Sequence, residues 1–160
     1  MRTDIEWSPG PGVKVSAAIR LEDGWVVSAV MSGGAECPAC GTHSSRRHGW
    51  YVRHLQDLPA QGAAVKLALK VTRWQCLKPE CTQWTFGDRG PQIVAPYGRR
   101  TRRVVDLARV FAHTAGGRPA GRLMTCLGVP QSQDTLLRSL KRGLNKRTPA
   151  AAVRVVGVDD

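Results

Sequence analysis

The chain has 160 residues and a mass of 17.4 kDa, room for one ordinary domain or two small ones. Hydrophobic residues make up 42%, too many for a disordered tail, and no apolar run approaches the ~18 residues that a bilayer span needs. Lys and Arg number 24 against 12 Asp and Glu, for a net charge of +12 and a pI near 10.4, which favours a polyanionic partner over a membrane.

The opening Met1-Arg2-Thr3-Asp4-Ile5-Glu6 carries acids and no apolar signal region, so the expected compartment is a reducing cytosol. Five cysteines in that setting suggest a metal before disulfides, with one cysteine left over. The charge is graded along the chain. Residues 1–36 carry a net −2, residues 37–96 a net +5 and residues 97–160 a net +9. A modular chain is expected: a β-hairpin unit over 1–36, a zinc-ribbon domain over 37–96, a helical DNA-binding domain over 97–147, and a linker and strand over 148–160. The expected fold class is α+β, a small β unit and zinc ribbon followed by an all-α helix-turn-helix domain.

In the first unit, Val13, Val15, Ala17 and Ile19 alternate with Lys14, Ser16, Ala18 and Arg20, the period of a half-buried strand. Asp23-Gly24 is a turn signal, and Trp25 to Val30 reads as the returning strand.

Cys37-Pro38-Ala39-Cys40 and Cys76-Leu77-Lys78-Pro79-Glu80-Cys81 are two cysteine turns separated by 35 residues. Two such turns facing each other close a tetrahedral thiolate shell around zinc. Between them, Trp50–Leu55 and Val65–Val71 read as strands, so the pattern is that of a zinc ribbon. A shell of four protein ligands leaves no open position for water, so the zinc is structural. His43, His48 and His54 are rival ligands, with exposed or phosphate-facing positions as the simpler reading. A disulfide framework and free thiols are the alternatives to the metal. The Arg46-Arg47-His48 tip either touches a DNA backbone or is a solvated loop. Cys126 is the leftover, expected as a small buried hydrophobe in a helix.

The last third has helical period. Val104, Leu107, Ala108, Phe111 and Ala115 define one helix over about 98–114, ended by Gly116-Gly117. Ala120, Leu123, Met124 and Leu127 define a second over about 118–127. Ser132 is the expected N-cap of a third, with Leu137, Leu140 and Leu144 as its buried stripe. Short helices joined by Gly128-Val129-Pro130 match a helix-turn-helix. In that arrangement Gln131, Ser132, Gln133, Thr135 and Arg138 are candidates to meet base edges. Arg99, Arg100, Arg102, Arg103, Arg118, Arg122, Lys141, Arg142, Lys146 and Arg147 are candidates to neutralise phosphates. A basic helical scaffold packed on another protein is the plain alternative.

After Thr148-Pro149-Ala150-Ala151-Ala152, the run Val153-Arg154-Val155-Val156-Gly157-Val158 ends in Asp159-Asp160. An apolar strand that delivers a carboxylate at its end is how metal-dependent nucleotidyl transferases begin their catalytic sheet; a frayed tail is the alternative.

Taken in order, Cys37-Pro38-Ala39-Cys40-Gly41, Gly49-Trp50-Tyr51, Leu55-Gln56-Asp57-Leu58-Pro59, Arg73-Trp74-Gln75-Cys76, Cys81, Thr85-Phe86, Gly116-Gly117-Arg118, Leu127-Gly128-Val129-Pro130, Asp134-Thr135-Leu136-Leu137-Arg138 and Val156-Gly157-Val158-Asp159-Asp160 resemble the N-terminal portion of bacterial insertion-sequence transposases of the ISL-three type. The resemblance covers about residues 10–160. It implies a zinc-binding domain and helix-turn-helix that bind terminal inverted repeats, ahead of an RNase-H-like catalytic domain carrying three acidic residues. Asp159 matches the first of that triad, and the other two would lie beyond residue 160. The resemblance therefore implies a truncated chain that binds double-stranded DNA near the bacterial nucleoid. It also implies Mg2+ only in a full-length catalytic form, and a second copy or the full-length enzyme as protein partners. A zinc-ribbon transcriptional regulator or interaction module is the rival function, and general RNA binding is a weaker one.

Overall fold

A computed structural model describes residues 8–32, 35–88 and 90–144. Its elements run β1 (Val13–Leu21), β2 (Gly24–Met31), β3 (Ala35–Glu36), β4 (His43–Ser44), β5 (Arg47–Ala60), β6 (Ala63–Gln75), β7 (Thr85–Gly87), α1 (Arg102–Ala115), α2 (Gly117–Cys126) and α3 (Gln133–Leu144). The tail carrying Lys146, Arg147 and Asp159 lies outside the described residues.

The long β6 strand organises the sheet. Its Val65, Leu67, Leu69 and Val71 are buried while Lys66 is exposed, the alternation expected of a sheet with one covered face. β5 pairs with one edge of β6 in an antiparallel hairpin, and β2 pairs with the other edge in parallel, Trp25 opposite Val65 through Val30 opposite Lys70. β1 extends the sheet beyond β2, giving the order β1-β2-β6-β5. β7 pairs antiparallel with Arg73–Gln75, past the end of the β2 pairing. Ile93 and Val94, from the segment after β7, complete the core with Val27, Ala29, Met31 and Leu55. Gly24 starts β2 at φ +145°, and a Cβ there would stand 2.2 Å from the Ala64 carbonyl oxygen, so glycine permits the approach of β2 to β6.

β1 departs from its simple alternation. Its register with β2 shifts between Val15 and Ala17, and one extra residue in a strand moves all later side chains to the opposite face. Val13 is therefore buried, while Ile19 and Leu21 are exposed with Ala17 on the open face.

The α+β expectation of a β unit and zinc ribbon followed by an all-α helix-turn-helix domain is overturned. The described chain is mostly β-sheet, a five-stranded mixed sheet and a two-stranded one, with three short helices at its C-terminal end. The first hairpin is a continuation of the main sheet through the β2–β6 pairing. The helices likewise do not close on themselves. Their cluster of Val104, Ala108, Ala112, Ala120, Met124, Val129 and Leu136 takes in Leu58 from β5. The backbone of Gln56 bonds both ways with the segment before α1, its N–H to Arg99 O at 2.9 Å and its carbonyl from Thr101 N at 3.0 Å.

The carboxylate of Asp57, fully buried, locks this junction. Its Oδ1 accepts from Thr101 Oγ1 at 2.7 Å, from Arg103 Nε at 2.7 Å and from the Leu58 N–H at 2.9 Å, and its Oδ2 accepts from Arg103 Nη2. The paired guanidinium bonds are the strong, bidentate kind. α1 has no acid in its first turn, and Asp57 brings negative charge to that end from the sheet.

Two details of the helices differ from expectation. α1 begins at Arg102, because residues 99–101 are drawn into pairing with β5. Among the described α3 side chains the fully buried leucine is Leu136, with Leu137 42% exposed and Leu140 half-buried, while the side chain of Leu144 lies outside those described; the helix turns Leu136 toward Val129 and Met124. Among the described residues no helix is long and apolar enough to cross a membrane.

Removing one partner of a buried ion pair leaves an uncompensated group, so Asp57→Ala should cost about 3 kcal/mol. Thr101→Val should cost about 1 kcal/mol, the loss of a single hydrogen bond. Denaturant midpoints check both, and amide exchange should rise first in α1.

Candidate metal centre and basic groove

The four expected cysteines flank the β5–β6 hairpin in sequence and are brought together at its open end, where Arg47 pairs with Trp74. The first turn follows β3, whose Ala35 and Glu36 pair with Ser44 and His43 of β4. Cys37 N bonds Thr42 O at 3.0 Å and Gly41 N bonds Cys37 O at 2.8 Å, so the chain reverses tightly under the two thiols. Gly41 provides the left-handed turn at φ +71°. The second turn follows β6: Cys76 N bonds Trp84 O at 2.7 Å, and Cys81 N bonds Lys78 O at 3.1 Å. Buried Ser44 ties the two halves, its Oγ donating to Gln75 O at 2.5 Å. Trp74 and Phe86 pack around Cys37 and Cys76, with Ala35, Cys40 and Cys81 at the margin.

The Sγ atoms of Cys37, Cys40, Cys76 and Cys81 all lie within 4.8 Å of one another. Cys37 and Cys81 approach to 3.8 Å, and Cys40 and Cys76 to 3.5 Å. A tetrahedral ion with metal–sulfur bonds of ~2.3 Å holds neighbouring sulfurs ~3.8 Å apart, so the donor set fits zinc in both chemistry and spacing. No disulfide links these cysteines. Hydrogen bonds from the Thr42 hydroxyl and backbone draw Cys40 down to about 6. Cys76 feels the Lys78 backbone N–H pulling down, but burial and the neighbouring thiols push it up to about 12. The Gln83 N–H likewise lowers Cys81, and burial with the Cys40 and Cys37 thiols outweighs it, leaving a net rise. Four thiolates this close together repel one another, and a cation among them relieves that repulsion. His43, His48 and His54 are exposed, and the cluster of candidate ligands contains none of them.

The expected DNA-contacting residues divide into two groups. Arg118, Arg122, Gln131 and Gln133 line one open groove of about 770 Å³ between α2 and the start of α3, together with Thr125 and Cys126. Arg118 Nε bonds Gln133 Oε1 at 3.2 Å across it. The Gln131 Nε2 is buried and has no hydrogen-bond partner among the described residues. Ser132 accepts from Thr135 N at 3.3 Å, the capping role expected of it, and the two hydroxyls are 2.9 Å apart. Arg138, Lys141 and Arg142 are exposed further along α3.

The second group lies at the sheet–helix junction, and two of its members are turned to the protein itself. Arg103 holds Asp57. Arg100 donates to Gln56 Oε1 at 3.0 Å and to Pro130 O at 3.4 Å. Arg99 and Arg102 are exposed beside this junction. Cys126 is exposed in the groove and is not a core residue, because α2 buries Ala120 and Met124 and turns Cys126 outward. Asp57 and Thr101 escaped the sequence reading as a structural pair. Their one visible signal was an acid placed between Leu55 and Leu58 in a basic stretch.

One zinc per chain is the expected stoichiometry. Cys37→Ser or Cys76→Ser should remove it and unfold the region around Trp74 and Phe86, while Cys126→Ser should leave metal content unchanged. Elemental analysis alongside near-UV circular dichroism checks this.

Residues 34–81 match the family model described as the zinc-finger of transposase IS204/IS1001/IS1096/IS1165. No curated protein and no solved structure matched the chain. The matched segment ends on Cys81 and contains all four clustered thiols, so in this part the chain is similar to the zinc ribbon of those transposases.

Proposed function

We propose that the chain is the zinc-binding, DNA-binding N-terminal region of an insertion-sequence transposase and that it recognises the terminal inverted repeats of its element. Zn2+ held by Cys37, Cys40, Cys76 and Cys81 is structural, since four protein thiolates leave it no open position. It joins the end of β6 to the β3–β4 turn, a region with only a small apolar cluster of its own.

The α2–α3 groove is the observation that carries the DNA reading. It gathers two arginines and two glutamines with no carboxylate among its lining residues. Arginine neutralises phosphate, and glutamine and arginine can pair with base edges. The net charge of +12 favours duplex DNA as the partner. The transposase-type zinc ribbon at residues 34–81 supports inverted repeats as the natural target.

Affinity for an inverted-repeat duplex should fall steeply with salt, with a log–log slope of several units at about 0.9 per phosphate contact. Arg122→Ala should lower that slope by about one across all sequences, whereas Gln133→Ala should cost about 1–3 kcal/mol at a single base position. Fluorescence anisotropy over a salt series measures both. A flat salt response removes the electrostatic basis of the proposal.

A further inference from the structure

Beside the metal centre lies a second cleft, of about 430 Å³, that the groove reading does not use. Arg46, Lys78, Leu77 and Trp84 line it along with the metal-site residues Cys76 and Cys81. Its lining contains no carboxylate. Trp84 is 67% exposed and Leu77 48%, a large apolar surface for two neighbouring turns. Trp84 is nevertheless held in place. Its carbonyl accepts the Cys76 N–H at 2.7 Å, and its ring lies 6.1 Å from that of His48 at 46°. Arg47 and His48 open β5 just after Arg46, and both are exposed.

We propose that this cleft binds an unpaired nucleotide of a nucleic-acid strand, with the base stacked on Trp84 and the flanking phosphates held by Arg46 and Lys78. An exposed indole beside two cations is the pairing from which stacking sites for single strands are built, and every base offers a face to it. A base paired and stacked in a duplex does not fit such a cleft, so it selects unpaired nucleotides in overhangs, single strands or distorted steps. The Trp84 backbone is fixed to the cysteine turn, so no main-chain ordering is needed to present the ring. The inference deepens the DNA-binding reading and rests on it, but it places this contact on the zinc ribbon, apart from the α2–α3 groove.

The test uses the zinc-loaded full chain and three probes: a blunt duplex, the same duplex with an oligothymidine overhang, and oligothymidine alone. The wild type should prefer the overhang to the blunt duplex. Trp84→Ala should erase that preference, weakening overhang binding about tenfold, while leaving blunt-duplex affinity and zinc content unchanged. Trp84→Phe should retain most of the preference, and Arg46→Ala should reduce the salt slope on oligothymidine by about 0.7. Equal wild-type affinities for overhang and blunt duplex overturn the inference, as does a preference that survives Trp84→Ala or a variant that loses both duplexes alike. Trp84-dependent binding of oligothymidine without any duplex binding would uphold the cleft and sink the groove. Binding to none of the three probes sinks both.

Discussion

The buried carboxylate of Asp57 is the constraint on which the arrangement of sheet and helices depends. It lies on β5, one residue from Gln56, whose backbone pairs with the segment entering α1. Through Thr101 and Arg103 it fixes where α1 starts and how it leaves the sheet. The helical cluster then closes around Leu58, the next residue of the same strand. A charge with no exposure is tolerable only because a fork of guanidinium donors, a hydroxyl and a backbone N–H all meet it. The position of the basic groove relative to the sheet follows from this contact.

The metal centre and the groove are thus two products of one hairpin. At one end of β5–β6, the cysteine turns converge after Gln75 and before His43. Toward the other end, Gln56 and Asp57 anchor the helices. The hairpin runs between two cationic regions, one bearing Arg46 and Lys78 beside Trp84 and the other bearing Arg118 and Arg122.

Much of the site was legible in the residues. The cysteine spacings singled out the four thiols that the fold gathers, because thiol pairs on two short turns are the donor pattern of a tetrahedral zinc site. The alternation in Val65–Val71 marked β6, and the apolar period placed α1, α2 and α3 to within a few residues. What stayed hidden was non-local. The β1 bulge sends Ile19 and Leu21 to the open face, and a period-two pattern contains no sign of one extra residue. The exposure of Cys126 and the choice of Leu136 over Leu137 depend on which side of each helix meets its neighbours.

By itself the sequence determined the four-cysteine donor set, the strong positive charge and the existence of the four long strands and three helices, since these rest on residue type and short-range period. The tertiary structure alone decided that β2 runs parallel to β6, that the helices are an appendage of a mostly β chain, and that Arg103 serves Asp57. It also decided that Arg118, Arg122, Gln131 and Gln133 share a groove and that Trp84 stands exposed beside Arg46. The physical reason is the same in each case: these outcomes turn on contacts between residues distant in the chain, and local pattern carries no record of which distant partner satisfies a buried charge or covers an apolar face.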